Sequence, residues 1–185
     1  MRVSIIFLIF FSFIFSFCKS EYTPKPKAYF KIDFPEKKYI ILDDQKLDFS
    51  FEYPLYSELD IKPNNKFIDI HFPEFHGTLH LTYVNLKGNL SAHIEQSRSL
   101  AYKHNNQADA ISEQVFISSK DNVYGMLYDY SGITATSSQF YLTDSVNHFF
   151  RGSFYFNTET NDSIAPINIF IKEDVRVLIE SVRWK

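Results

Sequence analysis

The chain has 185 residues, of which 45% are hydrophobic and 18% aromatic, and it holds only 5 glycines and 7 prolines. This composition excludes a disordered, collagen-like or low-complexity protein and predicts one globular domain. The formal charge of -3 provides no basic surface for nonspecific contact with a duplex, so nucleic acid is not an expected partner.

The first residues have the pattern of an export signal. Arg2 gives a positive start, and the uncharged apolar run of residues 3–17 follows it. At about 1.5 Å per residue this run would form a helix of roughly 22 Å, which is shorter than the roughly 30 Å hydrocarbon core of a bilayer. Cleavage is therefore favoured over a permanent transmembrane anchor, and residues 1–17 are predicted to be a lipoprotein signal peptide.

Cys18 is the single cysteine of the chain, and it comes directly after the apolar run. The polar residues 19–21 follow, an order typical of bacterial lipoprotein signals, in which the cysteine thiol receives a diacylglyceryl group and becomes the first mature residue. Phe17 stands where such signals usually hold a small residue, so cleavage after Ser20 or retention of the segment as a weak anchor are alternatives. We predict Cys18 as the lipid attachment site, since acyl chains contributing about 0.8 kcal/mol per buried CH₂ would hold the protein on a membrane.

Residues 18–28 are predicted to form a tether between the lipid and the domain. Pro24 and Pro26 alternate with lysines and favour an extended, semi-rigid polyproline spacer. The stretch that follows, up to Tyr39, is aromatic and too apolar for a linker, so we expect it to pack on the domain. The single globular domain is predicted to span residues 29–185.

Hydrophobic periodicity predicts a strand and a hairpin in the first half of the domain. Apolar and polar residues alternate from Leu47 to Tyr53, which indicates a half-buried strand that Pro54 ends. Residues 68–72 and 79–83 show the same alternation, and turn-forming residues lie between them. These two segments are therefore predicted to form a hairpin.

The second half of the domain is predicted to hold two helices and a β meander. Residues 89–104 favour a helix with Asn89 as its N-cap. Four strands are expected near residues 113–119, 123–130, 133–142 and 146–156. The last helix should begin at Asp162 or Ser163 and tolerate Pro166 in its first turn. Its apolar residues share one face: Ile164, Ile167, Ile171, Val175, Leu178 and Val182.

Together these elements predict an α+β fold, in which an antiparallel sheet made of the hairpin and the meander is covered by two helices. The closest named architecture is a PsbP/Mog1-like sandwich. Residues 23–39, just after a lipoprotein-like cysteine in a chain of this length, resemble the GldD family of gliding motility lipoproteins from gliding Bacteroidetes. The predicted elements are compatible with that family in length and order, with the last helix ending near residues 182–184.

The resemblance implies a non-enzymatic lipoprotein of the cell envelope, anchored to a membrane by its N-terminal lipid and facing the periplasm. It implies a requirement in gliding motility, through assembly or stability of the gliding and associated type IX secretion machinery. Other gliding or secretion proteins of the envelope are the partners it implies. It supplies no catalytic residue and no cofactor.

His71 and His80 are candidate metal ligands on the polar side of the predicted hairpin. If the hairpin is symmetric about residues 75 and 76, His71 faces His80 and Asp69 faces Thr82, all on one face. The turn offers two further candidate ligands, Glu74 and His76. The competing interpretation is that these are ordinary surface residues, and we expect no metal. The alternative function is a periplasmic ligand- or metal-binding module that uses the His71/His80 face.

Patterns that carry catalysis are weak in this chain. The serines at 131, 137 and 138 lack a Gly-x-Ser-x-Gly elbow, and Asp43 and Asp44 are better explained by a turn. No catalytic residue is therefore predicted. Five tyrosines of the meander either fill the core or form a protein-binding surface: Tyr124, Tyr128, Tyr130, Tyr141 and Tyr155.

Overall fold

The computed structural model describes residues 32–103, 108–132, 134–158 and 164–185. The predicted signal peptide, Cys18 and the tether lie outside these residues, as do the predicted cap residues Asp162 and Ser163. Residues 32–185 belong to one compact unit.

The described residues form ten strands and two α-helices. In chain order these are β1 (Tyr39–Leu42), β2 (Phe49–Pro54), β3 (Glu58–Ile61), β4 (Phe67–Phe72), β5 (Gly77–Asn85), α1 (Leu90–Tyr102), β6 (Ala110–Ser118), β7 (Val123–Ser131), β8 (Thr136–Thr143), β9 (His148–Phe156), α2 (Ala165–Ser181) and β10 (Arg183–Trp184). The predicted strand, hairpin, meander and two helices are confirmed. The short strands β1, β3 and β10 were not predicted, because four residues or fewer are too short to show an alternation.

The strands form two antiparallel sheets. The larger sheet has seven strands in the order β3-β4-β5-β9-β8-β7-β6, and the smaller has the order β1-β2-β10. The hairpin joins the meander through β5 and β9, which pair over nine residues from Gly77↔Phe156 to Asn85↔His148. Helices on a largely antiparallel sheet define the α+β class that the periodicity predicts.

The two helices lie on opposite faces of the seven-stranded sheet. One face carries an apolar core that α2 and β2 cover, because Ile171, Val175 and Leu178 of α2 pack in the same buried cluster as Phe49 and Phe51 of β2. Sheet residues in this cluster include Ile68, Ile70, Phe72, Leu79, Leu81, Leu127, Phe140, Leu142, Phe150 and Phe154. Full burial of each such side chain contributes about 1.5–3 kcal/mol.

On the opposite face, α1 covers the β7 and β8 side of the sheet. Ala101 of α1 is fully buried against Tyr128 and Tyr130, whose side chains alternate with the core-facing Leu127. The Tyr130 hydroxyl donates a hydrogen bond of 2.9 Å to the carbonyl of Ala101. This helix leaves the β3, β4 and β5 side of the same face uncovered, and the polar residues of the hairpin lie there.

Helix ends differ in one respect from the prediction. Asn89 occupies the N-cap position of α1, but its side chain makes no capping hydrogen bond. Its Oδ1 instead accepts from the backbone N–H of Lys87 at 2.9 Å, and its Nδ2 lies 3.1 Å from Nε2 of His93. Asn89 is therefore the N-cap residue, as predicted, but its side-chain oxygen is engaged by the preceding turn and does not bond the helix. Pro166 lies in the first turn of α2, as predicted.

Candidate functional site

The β4–β5 hairpin pairs in a different register from the predicted one. Asp69 lies opposite His80, and His71 lies opposite Thr78. The prediction that His71 faces His80 is wrong by two residues. Because an even shift leaves every side chain on its own face, Asp69, His71 and His80 still share the solvent side of the sheet.

The connection between the two strands explains this register. Phe72 pairs with Gly77, so the loop is limited to the 3-10 turn Pro73–Phe75 and His76. His76 adopts a left-handed φ of 48° and donates its backbone N–H to the carbonyl of Pro73 at 3.3 Å. Gly77 belongs to the strand, where an added Cβ would lie 2.3 Å from the ring of Phe154. The loop is therefore shorter than the turn residues suggest.

We call Asp60, Lys62, Asp69, His71 and His80 the polar face. Nδ1 of His80 lies 2.6 Å from Oδ1 of Asp69, and Nζ of Lys62 lies 2.5 Å from Asp60 and 3.4 Å from Asp69. Burial alone would raise the pKa of Asp69, but the hydrogen bonds and charges of His80 and Lys62 outweigh it and hold this pKa below its usual value. Asp69 is thus an ionised acceptor between two basic groups.

The structure brings together a set of metal-ligand atoms that differs from the predicted set. Among the described residues, ligand atoms of Asp60, Asp69 and His71 lie within 4.8 Å of one another, without Glu74 or His76. His80 contacts Asp69 and lies outside this group. The ammonium of Lys62 already binds both carboxylates, so a divalent cation would have to displace it. The polar face therefore has suitable ligand atoms for a metal, but the ammonium of Lys62 already binds its two carboxylates.

A second cluster joins the start of the described chain to α2. Asp174, which is only 2% exposed, accepts hydrogen bonds from Lys37 at 2.8 Å, from the Tyr39 hydroxyl at 2.7 Å and from the Tyr56 hydroxyl. Burial, followed by the hydrogen bond to Asp174, raises the pKa of both tyrosines, which therefore stay protonated donors. Among the described residues, Lys37 also pairs with Glu173 at 3.2 Å.

Aromatic contacts extend the same attachment. Phe34 stacks on Phe170 of α2 with ring centroids 4.4 Å apart, and Nζ of Lys37 lies 4.0 Å above the Phe170 ring. Tyr56 and Phe75 complete the cluster around that ring. We call residues 32–39 the docking segment. Its packing confirms, for its described residues, the expectation that the stretch after the tether lies on the domain.

Sequence reasoning did not identify Asp174 as part of a site. The sequence does contain a sign of its role, because this aspartate lies inside the apolar stripe of α2, beside Ile171, Val175 and Leu178. A carboxylate among such residues must be paired when the helix is buried. Its partners could not be assigned from the sequence, because they lie more than 110 positions away in the chain.

Two of the serines considered for catalysis, Ser137 and Ser138, lie where the sheet meets α2, whereas Oγ of Ser131 donates to the carbonyl of Ala110 within the sheet. Oγ of Ser138 donates to Oδ1 of Asp129 at 2.6 Å, and Oγ of Ser137 donates to Oδ1 of Asn168. Asp129 also pairs with Arg176 at 3.0 Å and lies 3.8 Å from Lys172. Burial lowers the pKa of Lys172, although Asp129 opposes this effect. These groups cross-link a helix and a sheet.

The fold places the chain in the class of PsbP-like α+β sandwiches. Cyanobacterial PsbP (CyanoP) from Synechocystis sp. PCC 6803 has a similar structure, with a TM-score of 0.53 over 82% of this chain and 95% of that chain. The sequence identity is 8%, so this likeness shows the fold alone. A structure from Bacteroides thetaiotaomicron VPI-5482 matches with a TM-score of 0.38 and 14% identity, over 78% of this chain and 48% of that chain.

The chain belongs to the family of the gliding motility lipoprotein GldD, whose model matches residues 19–184. The resemblance noted in residues 23–39 is thereby confirmed. Membership implies a gliding motility lipoprotein anchored at a membrane of the cell envelope. No curated protein matches the chain significantly. Within the described residues, none of the helices has the length and apolar character required to span a bilayer.

Proposed function

We propose that this protein is a non-enzymatic envelope lipoprotein that supports assembly or stability of the gliding machinery and the associated type IX secretion apparatus. A lipid on Cys18 holds it on the membrane, and its domain faces the periplasm. The observation that carries the proposal is the family match over residues 19–184, with the single cysteine of the chain at the position just before the match.

The attachment of the docking segment is consistent with this function. Residues 32–39 follow the predicted tether in the chain, and Lys37 and Tyr39 bind Asp174 of α2. A domain held in this way presents its surface at a limited distance from the membrane, where neighbouring envelope proteins can bind it. The partners we propose are other gliding or secretion proteins.

A depletion strain tests the proposal. The strain is complemented with the wild type, with Cys18→Ala, or with the triple change His71→Ala, His76→Ala and His80→Ala, and is scored for surface gliding and adhesin secretion. We expect loss of both activities on depletion, rescue by the wild type and by the triple variant, and failure of Cys18→Ala. Immunoblots of each strain confirm that the variants accumulate. Normal gliding after depletion would overturn the proposal.

The alternative function, a ligand- or metal-binding module, has one observation in its favour. Ligand atoms of Asp60, Asp69 and His71 lie within 4.8 Å of one another. The same complementation separates the two functions, because a scaffold tolerates loss of the histidines whereas a metal module does not. Rescue by the wild type alone, with equal protein levels, would assign the function to the polar face.

A further inference from the structure

Arg151 lies beyond the polar face on the same side of the sheet. The pairing Asp69↔His80, His80↔Ser153 and Ser153↔Gln139 forms one row across four strands, and Arg151 is two residues before Ser153 on β9. Its side chain is partly buried, and it donates from Nη2 to Oε1 of Gln139 at 3.0 Å. The acceptor is a neutral amide oxygen, so this hydrogen bond does not balance the positive charge of the guanidinium.

Arg151 differs from the other partly buried cations in the described part of the chain. Lys37, Lys62, Lys172 and Arg183 each have a carboxylate within 4.0 Å, whereas Arg151 has no ion pair among the described residues. Burial lowers the pKa of the Arg151 guanidinium, although Tyr155 and Tyr130 oppose this. A guanidinium stays charged in proteins, so its partial desolvation is a cost to the free domain.

Two buried polar atoms next to Arg151 also lack partners. Gln139 is 2% exposed and Ser153 is 5% exposed, and neither Nε2 of Gln139 nor Oγ of Ser153 has a hydrogen-bond partner in the described structure. The orientation of the amide follows from Arg151, because a guanidinium has donors only and so requires the oxygen of Gln139 to face it. The unsatisfied amide atom is then a donor, and the hydroxyl of Ser153 can also donate.

We propose that Arg151, with Gln139 and Ser153, forms a binding site for a carboxylate. Three groups able to donate hydrogen bonds lie together, and the ligand that satisfies them must be an acceptor with negative charge. A carboxylate matches the planar fork of the guanidinium and carries the single charge that Arg151 leaves unbalanced. A doubly charged phosphate fits less well, because Asp60 and Asp69 lie on the same face. The carboxylate comes either from a free small acid or from an acidic side chain of a partner.

Binding is measured on the purified full chain in detergent micelles, with arginine labelled by ¹⁵N. Sodium succinate and a short acidic peptide, acetyl-Glu-Glu-amide, are titrated separately against sodium chloride of equal ionic strength. We expect the Nε–H resonance of Arg151, assigned by its loss in Arg151→Lys, to shift saturably. The resonance of Arg98, which lies over Tyr102 on α1, is the internal control and should not saturate. Tighter binding of the peptide identifies a partner side chain as the source, and tighter binding of succinate identifies a free acid.

Thermal unfolding separates a ligand-binding role from a structural one. The wild-type melting temperature should rise by about 3 to 6 °C at a succinate concentration about ten times its Kd. Arg151→Met should lose this response, whereas its melting temperature without succinate is not diagnostic, because the change also leaves Oε1 of the buried Gln139 without its donor. If Arg151→Met does not fold, Arg151→Lys should weaken succinate binding roughly tenfold, because it loses the planar fork.

Three results would overturn the proposal. The Arg151 resonance could fail to saturate with either carboxylate probe. The Arg151→Met variant could keep the response to succinate, which would make Arg151 a structural residue. Inorganic phosphate, titrated in parallel, could bind as tightly as succinate, which would show a general anion site without preference for carboxylates.

Discussion

Asp174 accepts hydrogen bonds from Lys37, Tyr39 and Tyr56, three side chains from two distant parts of the chain. The carboxylate is almost completely buried, and Lys37 supplies the opposite charge beside it. Because a buried charge is tolerated only with partners, this residue makes the position of the docking segment and the stability of α2 depend on each other.

Replacement of Asp174 by alanine should lower the free energy of unfolding by about 3–5 kcal/mol, because it leaves the partly buried ammonium of Lys37 without its main partner. The measurement is urea unfolding of the purified protein. The matched control is Glu173→Ala, which removes a carboxylate that is 60% exposed and 3.2 Å from the same lysine. Glu173→Ala should lower the free energy of unfolding by less than about 1 kcal/mol. If both variants lose the same free energy of unfolding, Asp174 is not the main partner of Lys37.

The polar face gives a residue-level prediction about zinc. The wild type should show no saturable binding in isothermal titration, because Lys62 binds Asp60 and Asp69. Lys62→Met removes that ammonium, so zinc binding should appear in this variant and disappear again when His71→Ala is added. Saturable binding by the wild type that is lost in His71→Ala would show instead that the metal displaces Lys62.

At the level of elements, long strands and helices were predictable because their apolar residues repeat over many positions. β9 and α2 are examples, since Phe150 and Phe154, or Ile171, Val175 and Leu178, follow the periods of two and 3.6 residues. The hairpin register was not predictable, because it depends on how Pro73 and His76 close the loop. A pattern of polar and apolar residues is unchanged by a shift of two positions.

The turn between β8 and β9 shows how one side chain organises a connection. Oδ1 of Asp144 accepts from the backbone N–H groups of Val146, Asn147 and His148 at 3.0, 2.8 and 2.8 Å. Burial alone would raise the pKa of Asp144, but these hydrogen bonds outweigh it and lower the pKa below its usual value. The carboxyl group of Asp144 is therefore more easily ionised in the folded state.

This turn predicts an acid-dependent contribution to stability. The folded pKa of Asp144 lies below the unfolded value of about 3.9, so its stabilisation is complete above that pH and is lost as the pH falls through the folded pKa. Asp144→Asn should be less stable than the wild type near pH 7, and the difference should shrink progressively as the pH falls below about 3.9. Urea unfolding across this range is the measurement. A constant difference between the two proteins would contradict this role for Asp144.

At the level of the whole molecule, the family match begins at residue 19, immediately after Cys18. We propose two parts with separate tasks, an N-terminal region anchored at Cys18 and a folded domain. The candidate site was only partly predictable. Asp69, His71 and His80 share a face as expected, but Asp60 of β3 and Lys62 just after it join them only through tertiary packing. Asp174 belongs to the separate cluster at α2, which also depends on tertiary packing.

Lipidation of Cys18 can be tested directly. Mass spectrometry of the protein from the membrane fraction should show an N-terminal peptide that begins at Cys18 and carries acyl chains, because the apolar run directly before this cysteine has the pattern of a lipoprotein signal. Cys18→Ala should remain unprocessed and should lack the acylated peptide. An unmodified N-terminus at Glu21 would contradict the lipid anchor and indicate ordinary cleavage after Ser20.

The docking segment also has a mechanical consequence. With the anchor that we propose at Cys18, a pull between the membrane and a bound partner enters the domain at residue 32. It first loads the stacking of Phe34 on Phe170 and then the contacts of Lys37 and Tyr39 with Asp174. Rupture of these contacts, together with separation of β1 from β2, would free residues 32–42. The tether would then extend by up to about 36–40 Å. The seven-stranded sheet would stay intact, since β1 pairs only within the smaller sheet. Single-molecule pulling should therefore show a short extension before the sheet unfolds, which would let the protein yield under the load of a moving cell surface and then reattach.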